Sequence, residues 1–128
     1  MSDEGILTIT INNPKKLNAI STYTYSKIRD LLIDARFSST IKVIILTGCD
    51  ESRYYSAGND LQNLTPTDIL EESADGSARA ALFCQEFVQS FIDCNKPIIA
   101  AVTGPAMGIA TTTLFLCDFV YATSDATF

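Results

Sequence analysis

Residues 96–118, KPIIAAVTGPAMGIATTTLFLCD, carry the decision about the fold. The apolar run from Ile98 to Val102 predicts a strand, Gly104, Pro105 and Gly108 predict a turn, and the stretch from about Ile109 to Cys117 predicts a helix. A strand that passes through a small-residue turn into a helix aims that helix's first, unpaired N–H groups back at the turn. That end favours negative charge. Gly104 and Gly108 permit positive φ or a close backbone approach, and Pro105 stiffens the turn between them. Taken alone, such a turn serves tight chain reversal as readily as binding.

The same event occurs upstream. Lys42 to Thr47, KVIILT, is a continuous β-branched and apolar run, the pattern of a strand covered on both faces of a parallel sheet. A polar loop, 48–53, leads to YYSAGNDLQNL at 54–64, where Ser56, Ala57 and Gly58 precede a short helical turn. If the two strands are parallel neighbours, both turns emerge at the carboxyl edge of the sheet, where ligands of open α/β sheets bind. Two main-chain N–H groups converging there form an oxyanion hole. Losing one such donor costs roughly 3 kcal/mol of barrier in well-studied enzymes.

The remaining elements complete an α/β alternation. Gly5 to Asn12 alternates, with Leu7, Ile9 and Ile11 on one face and Thr8 and Thr10 on the other, so it predicts a strand broken by Asn12, Asn13 and Pro14. Lys15 to Ala19 forms a loop with two adjacent lysines. Ser21 or Thr22 caps a helix over 22–37 whose Tyr25, Ile28, Leu31, Leu32 and Ala35 face inward while Lys27, Arg29 and Asp34 stay wet. The polar, acidic stretch 65–76 predicts a mobile excursion. From Ser77 to Asp93, Ala80, Phe83, Phe87, Val88 and Phe91 recur at helical spacing, a stripe that reads as core. Phe119 to Ala122 predicts a final strand.

Composition narrows the function classes. The 128 residues are 47% hydrophobic and 19% charged, which fits one domain or part of one. A net charge of -6 argues against nucleic acid as the main partner, because phosphate binding needs clustered Lys and Arg. With no histidine and four widely spaced cysteines, Cys49, Cys84, Cys94 and Cys117, no metal site is expected, and the thiols read as free. No apolar run is long enough to span a bilayer and no leader pattern is visible, so an intracellular chain is expected.

Three segments, PKKLNA at 14–19, YSAGNDL at 55–61 and KPIIAAVTGPAMG at 96–108 followed by Cys117 and Asp118, together resemble the crotonase (enoyl-CoA hydratase/isomerase) superfamily in order and spacing. The resemblance implies a crotonase-like α/β fold, a superhelix of β-β-α units, of which residues 1–128 form the N-terminal part. Within the superfamily, the SxGNDL form and the GPAxG turn are most similar to the peroxisomal Δ3,Δ2-enoyl-CoA isomerases of fatty-acid β-oxidation.

Roles follow from that resemblance, residue by residue. The acyl thioester carbonyl is expected between the main-chain N–H groups of Asn59 and Ile109, where the family usually has Ala and Gly; the Ile109 side chain narrows the pocket. Lys15 matches a basic position near the CoA phosphates. Ala19, Ser56, Ala57, Gly58, Asn59, Asp60 and Gly108 match segments that line the acyl-CoA. No cofactor is expected beyond coenzyme A as part of the substrate. Hydratases of the family place a water-activating glutamate where this chain has Thr112, which lacks the basicity for that task. The isomerases work with one carboxylate, which lies beyond Phe128 in the family; Asp60 reads as a helix-start residue and Asp118 as structural. The resemblance also implies a homotrimer or hexamer and a peroxisomal rather than mitochondrial location. An enoyl-CoA hydratase and a noncatalytic acyl-CoA-binding or assembly module stay open as alternatives.

Overall fold

The computed structural model describes residues 4–61 and 74–128, with 74–80 given by their backbone alone. Four strands, β1 (Ile6–Ile11), β2 (Val43–Gly48), β3 (Ile98–Val102) and β4 (Phe119–Ala122), form one parallel sheet in the order β1-β2-β3-β4. Successive strands are neighbours, so the chain advances one strand per crossover, the path of a superhelix. Among the described residues three helices make the crossings: α1 (Thr22–Phe37), α2 (Ala74–Asp93) and the short α3 (Ile109–Leu114).

The alternation read in β1 is present, with Ile9 and Ile11 buried and Thr8 and Thr10 exposed. In β2 the expectation of two covered faces is corrected. Ile44, Leu46 and Gly48 are buried, whereas Val43, Ile45 and Thr47 on the other face are only half-buried. Helices α1 and α2 pack against each other and lie over the first face; β4 is exposed along its whole length. A β-branched run therefore marked a strand inside a parallel sheet, but not how completely its second face is covered.

Helix α1 starts at the Ser21 cap, whose hydroxyl accepts from Thr24 N at 3.2 Å, worth about 1 kcal/mol relative to alanine. It buries Tyr25, Ile28, Leu32 and Ala35. Leu31, expected inside, is 38% exposed, because Ile28, Leu32 and Ala35 already fill a narrower stripe. Helix α2, Ala74–Asp93, already includes the residues before Ser77, near which its start was expected, so Gly76 lies inside a helix. The rest of the predicted excursion, and the part beyond Leu61 of the helical turn expected after Gly58, fall outside the described residues. Phe87 and Phe91 are buried as predicted, and Tyr25, Phe87 and Phe91 stack edge-to-face with centroids 4.7 and 5.1 Å apart. Such contacts add about 0.5–1.5 kcal/mol each beyond burial.

Helix α3 ends at Leu114 rather than Cys117. Phe115, Leu116 and Cys117 continue in tight turns, donating to Thr112, Thr113 and Leu114 carbonyls. Threonine hydroxyls bonded back to helix carbonyls, as Thr112 to Gly108 O and Thr113 to Ile109 O, do not favour helix continuation. Asp118 then clamps the start of β3: its carboxylate accepts from Ile98 N at 2.7 Å, and its own N–H donates to Ile98 O at 2.9 Å. Asp118 is structural, as its position suggested.

Candidate active site

Strands β2 and β3 are parallel neighbours, so the chain leaves both at the same sheet edge. After β2 the backbone folds back over Gly48, where an added Cβ would lie 2.8 Å from Tyr55 O. After β3 it passes Gly104, whose φ of +152° and 2.4 Å approach to Arg53 O exclude a side chain. The two exits are stitched together: Ser56 N donates to Pro105 O at 3.3 Å, and Met107 N donates to Ser56 O at 3.0 Å.

The first turn is bonded on its other side to the segment before α1. Ala57 N donates to Leu17 O at 2.9 Å, Ile20 N to Gly58 O at 2.7 Å, and Asp60 N to Ile20 O at 3.0 Å. In this parallel bridge the partner of Ile20 is Asn59. The flanking residues make the bonds, so the N–H of Asn59 points away from Ile20. Among the described residues it has no acceptor, and neither does the N–H of Ile109, the first residue of α3. Each of these two free donors follows a glycine in a left-handed or glycine-only conformation: Gly58 has φ +81°, and Gly108 has φ +56° and ψ -121°. The glycines meet. A Cβ on Gly58 would lie 2.6 Å from Met107 O and 3.8 Å from Gly108 Cα, whereas one on Gly108 would face open space. Two free N–H groups on adjoining turns, open on one side, can hold a carbonyl oxygen and stabilise charge growing on it.

Side chains hold this arrangement from behind. Asn18, fully buried and in the left-handed region at φ +57°, accepts from Asn13 N at 2.9 Å and Cys49 Sγ at 3.3 Å and donates to Tyr54 O at 3.0 Å. The Ser56 hydroxyl donates to Asn18 O at 2.8 Å and accepts from Gly58 N at 3.1 Å. Lys16 Nζ pairs with Asp60 at 2.7 Å, and the Tyr25 hydroxyl donates to Asn59 Oδ1. Burial, with a smaller contribution from Cys84, pushes the Tyr25 hydroxyl well above the ordinary tyrosine range, so it stays protonated as a donor.

The residues singled out in the sequence therefore fall into two groups. Gly58, Asn59, Gly108 and Ile109 meet at the adjoining turns, with Asn59 and Gly108 exposed and Ile109 half-buried. Ala19 and Ser56 are buried beneath the first turn, so a ligand there meets main chain rather than the Ser56 hydroxyl; Ala57 is half-buried beside them. Asp60 is buried in its ion pair with Lys16, and Lys15, the neighbouring lysine, is exposed. Thr112 is exposed with its hydroxyl on Gly108 O at 3.1 Å. Sequence spacing missed Asn18, Lys16 and Tyr25. For Tyr25 the available signal was a hydroxyl-bearing ring in an otherwise apolar helix stripe. Among the described residues no group of three His, Cys, Asp or Glu side chains could hold a metal ion, and no helix is long and apolar enough to cross a membrane. The four cysteines are free, and burial, followed by the Asp118 charge, pushes the Cys117 thiol up to about 11.

The family model described as enoyl-CoA hydratase/isomerase matches residues 1–128. The chain belongs to the enoyl-CoA hydratase/isomerase family. Enoyl-CoA delta isomerase 2 of Homo sapiens is 46% identical over 129 residues, covering 99% of this chain and 31% of that protein. Enoyl-CoA delta isomerase 3, peroxisomal, of Mus musculus is 43% identical, covering 99% of this chain and 38% of that protein. The crystal structure of an enoyl-CoA hydratase/isomerase from Mycobacterium paratuberculosis superposes with a TM-score of 0.81 at 30% identity, over 95% of this chain and 47% of that one. The crotonase-like α/β fold expected from the three segments is thus present. The chain spans less than half the length of these relatives.

Proposed function

We propose that the protein containing this chain is a Δ3,Δ2-enoyl-CoA isomerase of fatty-acid oxidation that binds its acyl thioester carbonyl between Asn59 N and Ile109 N. The observation that carries this reading is the pair of free N–H groups on the adjoining Gly58 and Gly108 turns. A base removes a proton from C2 of the 3-enoyl thioester, the electron pair spreads over the dienolate and its oxygen, and the proton returns at C4. The two N–H donors stabilise that oxygen as its charge grows. Asp60 and Asp118 are engaged with Lys16 and Ile98 N, and the family resemblance implies a proton-carrying carboxylate beyond Phe128. Coenzyme A enters as part of the substrate, with Lys15 beside its phosphates as an exposed point charge.

Thr112 favours isomerase over hydratase. The delta isomerase names of the relatives from Homo sapiens and Mus musculus support the same choice, and the second name supports a peroxisomal location. Exposed Phe115, Phe119 and Tyr121 around β4 support burial in a larger assembly, for which we propose a homotrimer or hexamer. Steady-state assay of the native full-length product with a 3-enoyl-CoA tests the reading. The expected outcome is formation of the 2-trans-enoyl-CoA with little hydration. Efficient hydration of a 2-enoyl-CoA would sink it, and tight acyl-CoA binding without either reaction would favour a noncatalytic module.

A further inference from the structure

Three of the attachments that fix the Ser56 to Asp60 turn surround Asn59, and these come from the short segment 16–25. Ile20 bonds the peptides on both sides of Asn59, Lys16 pairs with Asp60, and Tyr25 holds the Asn59 side chain. The first two leave Asn59 free to turn about its side-chain bonds. Asn59 is exposed, and beside it lie two main-chain N–H groups with no acceptor among the described residues. Asparagine side chains readily accept from nearby backbone N–H groups. A loose Asn59 Oδ1 is therefore an internal competitor for the donors that a substrate carbonyl needs.

We infer that Tyr25 is a positioning residue that holds Asn59 Oδ1 away from the two free N–H groups and presents the amide NH2 to the open side instead. The inference rests on the isomerase reading for its effect on activity, but not for its geometry. Tyr25 is suited to the task. Its ring sits on the first turns of α1, is 5% exposed, and is wedged edge-to-face on Phe87 of α2, which in turn packs on Phe91, so two helices fix where the hydroxyl points. The Asn59 NH2 has no acceptor among the described residues and remains available to whatever occupies the site.

The test is a double-mutant cycle in the native full-length protein, with Tyr25→Phe, Asn59→Ala and both together. Phenylalanine keeps the ring contacts and removes only the hydroxyl. Tyr25→Phe is expected to lower kcat/KM by about five- to twentyfold, with part of the loss in KM because Oδ1 competes with substrate. In the Asn59→Ala background the same change should alter kcat/KM by less than about twofold, since the side chain it restrains is gone. Equal losses in both backgrounds would make Tyr25 merely structural and overturn the inference. A second readout separates the inference from the isomerase assignment. In protein labelled with 15N-asparagine, the Asn59 side-chain amide signals should shift in Tyr25→Phe. Unchanged signals would overturn the inference whatever the activity, whereas shifted signals in a protein that does not isomerise would uphold it and sink only the assignment.

Discussion

Replacing Gly58 with alanine separates the geometry of the adjoining turns from a mere need for flexible loops. The φ of +81° makes any L side chain strained, at about 1–2 kcal/mol. The new Cβ would also lie 2.6 Å from Met107 O, a main-chain atom held by the Met107 N to Ser56 O bond, so the turns must part by several tenths of an ångström. Overpacking of that kind adds about 1–3 kcal/mol. Gly58→Ala should therefore lose roughly 2–5 kcal/mol and melt on the order of 10 °C lower. Gly108→Ala is the control, because its Cβ meets nothing within 4 Å and it suffers backbone strain alone, about 1–3 kcal/mol. It should melt higher than Gly58→Ala while still losing acyl-CoA affinity, since its methyl group points into the open side of the site. Thermal melts and acyl-CoA titrations on both variants check this. A Gly58→Ala protein as stable as the wild type, or no less stable than Gly108→Ala, would refute the reasoning.

Asn18→Ala should cost about 2–4 kcal/mol by urea unfolding, because it strips partners from Asn13 N and Tyr54 O and puts alanine at φ +57°; Asn18→Gly, relieved of that strain, should cost measurably less. Burial raises the Cys117 thiol from its ordinary 9.0 to about 11, so the folded state keeps a proton that the unfolded chain gives up first. The stability this group contributes is full below pH 9 and lost as pH rises towards 11. Cys117→Ala should flatten the stability profile across that window, as followed by urea midpoints at a series of pH values.

What the sequence conveyed well was periodic or local. Alternation in β1, the β-branched run of β2 and the glycines at 104 and 108 each leave a signature within a few residues, and the pairing of the two turns followed from placing β2 beside β3. Boundaries were harder. Gly76 and Ser77 resemble a helix start yet lie inside α2, while the apolar run through Cys117 hid the point where the α3 helix gives way to turns. Leu31 satisfies the same spacing as its neighbours, and only the packing of α1 on α2 decides that it faces outward. The supports of the site were illegible for a different reason. Lys16 and Asp60 are separated by 44 positions, Tyr25 and Asn59 by 34, and Asn18 and Tyr54 by 36. No local rule joins such residues; the parallel sheet brings them together by carrying both turns to one edge.

The central claim is that two main-chain N–H groups polarise a thioester carbonyl, and the carbonyl itself reports it. Isotope-edited infrared or Raman difference spectra of a 13C-carbonyl acyl-CoA bound to the native full-length protein measure the bond directly. The account predicts a shift of the carbonyl stretch to lower frequency on binding, and loss of most of that shift when the N–H of Asn59 is removed by Asn59→Pro in a variant shown to be folded by its melting curve. A bound carbonyl that vibrates as it does in water, or an unchanged shift in folded Asn59→Pro, would contradict it.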